Sequence, residues 1–172
     1  MPPCRGNPHR RTKAHMDRTR LSRFVNQRLS EVTLSEPATV SPALPVRQAI
    51  ATMLQYRTSC LLAIEQGELR GIFTERDVLT KCMVDGFDWD QPLEASVLTK
   101  QPRVIASTGT VAEAIAMMQQ HHYRNVPVVE GSRVVGVLRL GDLLRDLAEA
   151  YPEHVLNLPP RPHQVMEQAE GG

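Results

Sequence analysis

The sequence predicts an α+β fold made of two tandem β-α-β-β-α repeats packed with pseudo-two-fold symmetry, and three observations predict it. The stretch Gly71-Ile72-Phe73-Thr74-Glu75-Arg76-Asp77 returns 65 residues later as Gly136-Val137-Leu138-Arg139-Leu140-Gly141-Asp142. The same offset aligns Pro37–Leu79 with Pro102–Leu144 without a gap: Ala49-Ile50-Ala51-x-Met53 meets Ala114-Ile115-Ala116-x-Met118, and Glu65 meets Glu130. Val32 and Val97 extend the match upstream. Within each copy, hydrophobic periods of 2 and 3.6 alternate in one order, which is the signature of a repeated supersecondary unit.

Each element has a local reason. A short extended segment opens each copy, at Ala38–Ser41 and Arg103–Ala106. A helix follows, with Val46, Ala49, Ile50, Met53 and Leu54 on one face of the first copy and Val111, Ala114, Ile115 and Met118 in the second. Pro45 suits a first helical turn, and Thr110-x-x-Glu113 reads as a capping box. Strands at Cys60–Ile64 and Leu69–Phe73, and at Val126–Val129 and Val134–Leu138, join as hairpins through Gln66-Gly67 and Gly131-Ser132. A last helix leaves each Gly-turn, with Thr74 as N-cap and Asp77 at the third helical position in the first copy. It carries Val78, Leu79 and Cys82, or Leu143, Leu144 and Leu147.

The regions that follow are a disordered basic arm (1–20), repeat 1 with a leading helix (21–84), a linker (85–92), repeat 2 (93–150) and a Pro-rich tail (151–172). Leu21, Phe24, Val25 and Leu29 give the leading helix its apolar face. Trp89, the only tryptophan, is expected to plug the joint between the halves. Leu158-Pro159-Pro160-Arg161-Pro162 excludes a regular helix in the tail, which reads as a loose arm or a strap. A half of about 60 residues is marginal alone, so the two must share a core. That packing is expected to set the two Gly-turns on opposite sides of a common groove.

Composition narrows the class. At 172 residues and 41% hydrophobic but only 4% aromatic, the core must be aliphatic. Three cysteines without a C-x-x-C argue against a disulfide framework or a zinc site and suit a reducing cytosol. No apolar run is long enough for a transmembrane helix, and no apolar core follows the basic N-terminus as in a secretory signal. The expectation is a cytoplasmic protein with no membrane partner. The net charge of +1 conceals an asymmetry. The first 28 residues hold eight Lys and Arg against Asp17, whereas the remainder holds twelve against eighteen acidic groups. Such an arm would give a nucleic-acid-associated regulator its sequence-independent affinity. Without interleaved aromatics it reads more simply as a solubilising leader, with Met16 as a second candidate start.

The chemistry-bearing constellations of hydrolases, metalloproteases and nucleotide-triphosphate or dinucleotide folds are missing, so no enzymatic activity is expected. His121 and His122 are adjacent, point about 100° apart on a helix and cannot share a metal. The Gly-turns remain. Read minimally, Thr74 and Asp77 only cap a helix. Read functionally, a helix N-terminus offers free N–H groups to a phosphate, and an Asp can accept both hydroxyls of a ribose. Arg139 stands where Thr74 stands and cannot cap, yet Asp142 persists, which favours ligand binding. Arg76, Arg124 and Arg139 would add positive charge around the groove.

With its tandem copies, the Gly-h-h-Thr-x-x-Asp turn and the strand Asn125-Val126-Pro127-Val128-Val129-Glu130, the chain resembles a pair of CBS domains, the Bateman module, over about Leu29–Glu149. The resemblance implies a disc-like homodimer and a regulatory role. It also implies an adenosine ligand (AMP, ADP, ATP or S-adenosylmethionine) between the copies, with no cofactor required and an unknown protein target. Asp77 and Asp142 would then hold ribose hydroxyls, and Thr74 with Arg124 the phosphate. Thr39-Val40, Ser59-Cys60 and Asn125-Val126 would sandwich the adenine. Arg139 departs from the family's Ser or Thr, and Leu61-Leu62-Ala63-Ile64 lacks its proline. A structural dimerisation module with empty sites is the alternative.

Overall fold

The computed structural model describes residues 18–150, with side chains from residue 21 onward. Most of the expected disordered arm and all of the tail lie outside the described residues. One boundary is corrected: Arg18–Arg20 are helical, because helix α1 (Arg18–Val25) starts ahead of its apolar face.

The chain then runs through a 3₁₀ turn (Leu29–Glu31), β1 (Thr39–Val40), α2 (Val46–Gln55), β2 (Cys60–Glu65) and β3 (Glu68–Thr74). The one-turn α3 (Glu75–Asp77) passes straight into a π-helical turn (Val78–Cys82). After the linker come α4 (Leu93–Ser96), β4 (Thr99–Lys100), β5 (Ile105–Ala106), α5 (Val111–His121), β6 (Asn125–Glu130), β7 (Arg133–Arg139) and α6 (Leu140–Ala150). The β-α-β-β-α order is thus present twice.

Symmetry extends to the irregularities. Both hairpins carry a register shift at equivalent places, between Ala63 and Ile64 and between Val128 and Val129. Arg57 and His122, each just past a helix end, have φ of 48° and 55°. At the first hairpin tip, Gln66 and Gly67 both take positive φ, the turn whose twist matches that of the flanking strands.

The sheets show what the linear pattern does not. Their strand orders are β1-β2-β3-β4 and β5-β6-β7. β4, which leads into the second copy, pairs with β3 of the first, Thr99 facing Ile72. Conversely, Ser35, which leads into the first copy, bridges to Val137 of the second. The leading segments are therefore exchanged between the halves. Leu29 N donates to Gly109 O at 2.8 Å, and Leu93 N donates to Leu44 O at 3.0 Å. Val111 N donates to Gln27 O, and Val46 N to Gln91 O, both at 3.0 Å, so each exchanged segment caps the other half's first helix.

These pairs place Leu29, Leu34 and Ser35 opposite Leu93, Leu98 and Thr99, an offset of 64 rather than 65. The expected pairing of Val32 with Val97 is corrected accordingly. Ser35-Glu36-Pro37 is one residue shorter than Thr99-Lys100-Gln101-Pro102, and Gln101 takes up the extra residue at φ 48°.

Each half encloses an aliphatic core under its first helix. One gathers Val46, Ala49, Met53, Leu61 and Phe73 with Leu93, Val97 and Leu98 from the exchanged segment. The other gathers Val111, Ala114, Met118, Val126 and Leu138 with Leu29. A third cluster of Cys60, Leu62, Ile72 and Val137 forms the joint. β2 is apolar on both faces because one face meets its own helix and the other meets the second half. Each fully buried leucine or valine contributes about 1.5–3 kcal/mol. Trp89 does not plug this joint: it packs on the first core and meets Phe87 edge-on, ring centroids 4.9 Å apart. The correction follows from the linker, whose Trp89 O accepts from Arg47 N at 2.9 Å and holds the indole over α2.

A candidate ligand cleft between the halves

Thr74 ends β3 in extended geometry and caps α3, with Asp77 N donating to its Oγ1 at 3.3 Å. Asp77 answers through Oδ2, which accepts from Thr74 N at 2.9 Å and from Thr74 Oγ1 at 2.6 Å. Its other oxygen, Oδ1, accepts from Thr99 Oγ1 at 3.1 Å and from Lys81 Nζ at 2.7 Å. The carboxylate is thereby fixed in direction although only 7% of the residue is exposed. The π-helical turn brings Lys81 there, and its Nζ also donates to Val97 O at 2.8 Å. One ammonium thus ties the turn, the carboxylate and the exchanged segment together.

In front of this turn opens a cavity of about 430 Å³. One wall is Thr74, Glu75, Arg76 and Asp77 of the first copy; the other is Tyr123, Arg124 and Asn125 of the second. Ser59 closes the floor, with its Oγ 3.3–3.4 Å from the Asn125 side-chain amide. Arg76, Arg103 and Arg124 face Glu75 and Asp77 around it, a net positive surround suited to a phosphate-bearing ligand. The volume lies in the range of small-molecule sites, and apolar Ile72 and Pro127 line its inner end.

The second copy is built differently. Leu140 N donates to Arg124 O at 2.9 Å, as Glu75 N does to Ser59 O at 3.2 Å, so the backbone of the turn is the same. Asp142 Oδ2 accepts from Ser35 Oγ at 2.6 Å, and Oδ1 pairs with Arg145 one turn on. Arg139 turns away: its Nη2 donates to Thr58 Oγ1 at 3.1 Å in the other half. Asp142 opens instead onto a separate cavity of about 400 Å³, lined by Thr33–Ser35 and by α6 from Asp142 to Glu149. The expectation of two turns on one groove is therefore corrected. The exchanged segments cross between them and give each carboxylate its own opening.

Of the residues singled out from sequence, Ser59, Thr74, Arg76, Asp77, Arg124 and Asn125 meet at the first cavity. Thr39 and Val40 lie in β1, hydrogen-bonded beside Leu62 and Ala63. Cys60 is buried in the joint and Val126 in the second core. Burial pushes the Cys60 thiol pKa up, opposed by the nearby Arg139 guanidinium and the Thr58 hydrogen bond. Sequence reasoning missed Thr99, Arg103, Tyr123 and Lys81. Thr99 sits in a segment whose exchange no repeat reveals, with Arg103 just after it, whereas Lys81 stands four residues past Asp77, a helical ion-pair spacing present in the sequence.

Comparison with known proteins agrees with this architecture. The CBS domain family matches twice, at residues 29–83 and 95–149. The chain is 28% identical over 117 residues to CBS domain-containing protein YhcV of Bacillus subtilis, covering 67% of this chain and 81% of that one. It is 32% identical over 119 residues to CBSCBSPB3 of Arabidopsis thaliana, covering 69% of this chain but only 21% of that protein. Among solved structures, a CBS domain protein of Pyrobaculum aerophilum complexed with AMP superposes with a TM-score of 0.62 at 23% identity, covering 72% of this chain and 99% of that one. With two family matches spanning its two halves, the chain belongs to the CBS domain family, as a tandem pair.

Proposed function

We propose that the chain is a regulatory, non-enzymatic module that takes an adenine nucleotide of the AMP, ADP or ATP class in the first cleft. The observation that carries this reading is the junction at the 430 Å³ cavity: a helix N-terminus with Thr74 and Asp77 on one wall, Arg124 and Asn125 on the other. A phosphate there meets the Arg124 and Arg76 guanidinium groups, since the Glu75 and Asp77 N–H groups of α3 already donate to Ser59 O and Thr74 Oγ1. A ribose diol reaches Asp77 Oδ1 by exchanging with the Thr99 and Lys81 donors. The AMP complex of the Pyrobaculum relative supports the ligand class.

Occupancy would pass on through a homodimer. Leu79 and Leu144 are 70% and 57% exposed at equivalent places, and Leu54 is 75% exposed on α2. A second copy of the chain covering these faces would bury them.

Thermal shift followed by calorimetry with AMP, ADP, ATP and S-adenosylmethionine tests the reading on wild type and Asp77→Ala. The expected result is stabilisation of wild type, about 2.7 kcal/mol at a hundredfold excess over Kd, lost in Asp77→Ala. No shift with any of the four leaves the structural dimerisation module as the function. That second reading is favoured by one observation, that all the Asp77 acceptor positions are already engaged.

A further inference from the structure

We propose that the chain holds a single adenosine ligand, in the first cleft, because Arg139 closes the second as a crossbar between the halves. This rests on the nucleotide reading above and concerns a different place in the fold. By the 65-residue offset, the image of the first cleft has Arg139 where Thr74 stands and Thr58 where Tyr123 stands. The Thr74 side chain is short and folds back onto Asp77, leaving the space between the walls open. Arg139 reaches across the image of that space, and its Nη2 donates to Thr58 Oγ1 at 3.1 Å. Thr58 is only 6% exposed, so this bond ends on the buried wall of the other half.

Two further observations agree. Arg139 Nε is buried and has no hydrogen-bond partner among the described residues. A buried N–H without an acceptor is uncommon, and it follows here from a guanidinium lying where the symmetry calls for a hydroxyl. Asp142, meanwhile, opens onto a cavity walled by 33–35 and 142–149, with no residue of the 57–60 wall against which a base would lie. Asp142, Asp146 and Glu149 oppose Arg145 alone there, so a phosphate is repelled where the first cleft attracts one.

Calorimetry on the full chain, with AMP and with uncharged adenosine as probes, tests the crossbar. Wild type is expected to take one equivalent of either probe, at least tenfold weaker in Asp77→Ala. Arg139→Ser is expected to take a second equivalent of adenosine, retained in the Asp77→Ala background. Two equivalents in wild type, or no second equivalent in Arg139→Ser, overturn the proposal while leaving the nucleotide reading intact. If wild type takes up neither probe, the nucleotide reading falls; uptake of adenosine by Arg139→Ser still supports closure, and its absence overturns it. A ligand-free readout stands beside these. The melting shifts of Thr58→Val and Arg139→Met should be non-additive in the double variant, and additive shifts overturn the crossbar.

Discussion

Lys81 Nζ lies 2.7 Å from Asp77 Oδ1, one turn along the chain, and the same ammonium donates to Val97 O in the exchanged segment. The ammonium thus ties Asp77, the carboxylate proposed for a ribose, to the segment that opens the second half. Lys81→Met removes both bonds and leaves Val97 O and Asp77 each short of a donor. The expected loss is about 1–2 kcal/mol in urea unfolding. An unchanged midpoint would show that Thr99 and Thr74 suffice to hold the carboxylate.

Glycine at 136 is required by space rather than by dihedral angle. A Cβ there would fall 2.6 Å from Leu34 Cβ, where the exchanged segment crosses β7. Gly136→Ala is expected to cost about 1–3 kcal/mol, since the crossing backbone must shift. Gly141, on α6 with nothing within 4 Å of its would-be Cβ, supplies the control. Gly141→Ala should stabilise by about 0.5–1 kcal/mol by reducing backbone freedom. Equal signs for the two substitutions would refute the crossing geometry.

Leu29 opens the first family match yet is fully buried in the core of the second half. Leu29→Ala should therefore cost about 2–5 kcal/mol. The loss of amide-exchange protection should concentrate in α5 and β6, and loss centred on α2 instead would contradict the exchange.

Burial raises the pKa of both the Cys60 and Cys82 thiols above the ordinary thiol range. The folded chain holds these protons more tightly than the unfolded one. Their contribution is therefore complete below the unfolded thiol pKa and is lost as pH rises through the folded values. Urea midpoints should fall between pH 8 and pH 10, and Cys60→Ala should flatten the slope. A rising midpoint over that window would contradict the burial of the thiols.

Much of the fold was legible because it is written locally and twice. Thr74 with Asp77 and Thr110 with Glu113 are capping boxes that need only neighbours along the chain, and both are formed. The apolar faces Val46, Ala49, Met53 and Val111, Ala114, Met118 point inward as their 3.6 period requires, whereas Leu54, expected on the first face, is exposed at its edge. Of the cleft, the Thr74–Asp77 turn and Arg124-Asn125 could be found because a strand feeding a helix fixes its own geometry. Thr99 could not, since it arrives through the pairing of β4 with β3, whereas Lys81 and Tyr123 lie beside legible residues, four past Asp77 and next to Arg124.

The sequence by itself determined the β-α-β-β-α unit, its repetition and its helix caps, because periodicity and capping act over a few residues. Tertiary structure decided which half each leading segment completes. Leu29 and Leu93 are equally apolar wherever they pack, and the pairing of β4 with β3 and of Ser35 with Val137 sets each against the opposite core. It likewise decided the difference between two turns of near-identical pattern. A threonine folds back to cap its own helix, whereas an arginine at the same place is long enough to span the gap, and the hydroxyl it finds at Thr58 belongs to the other half.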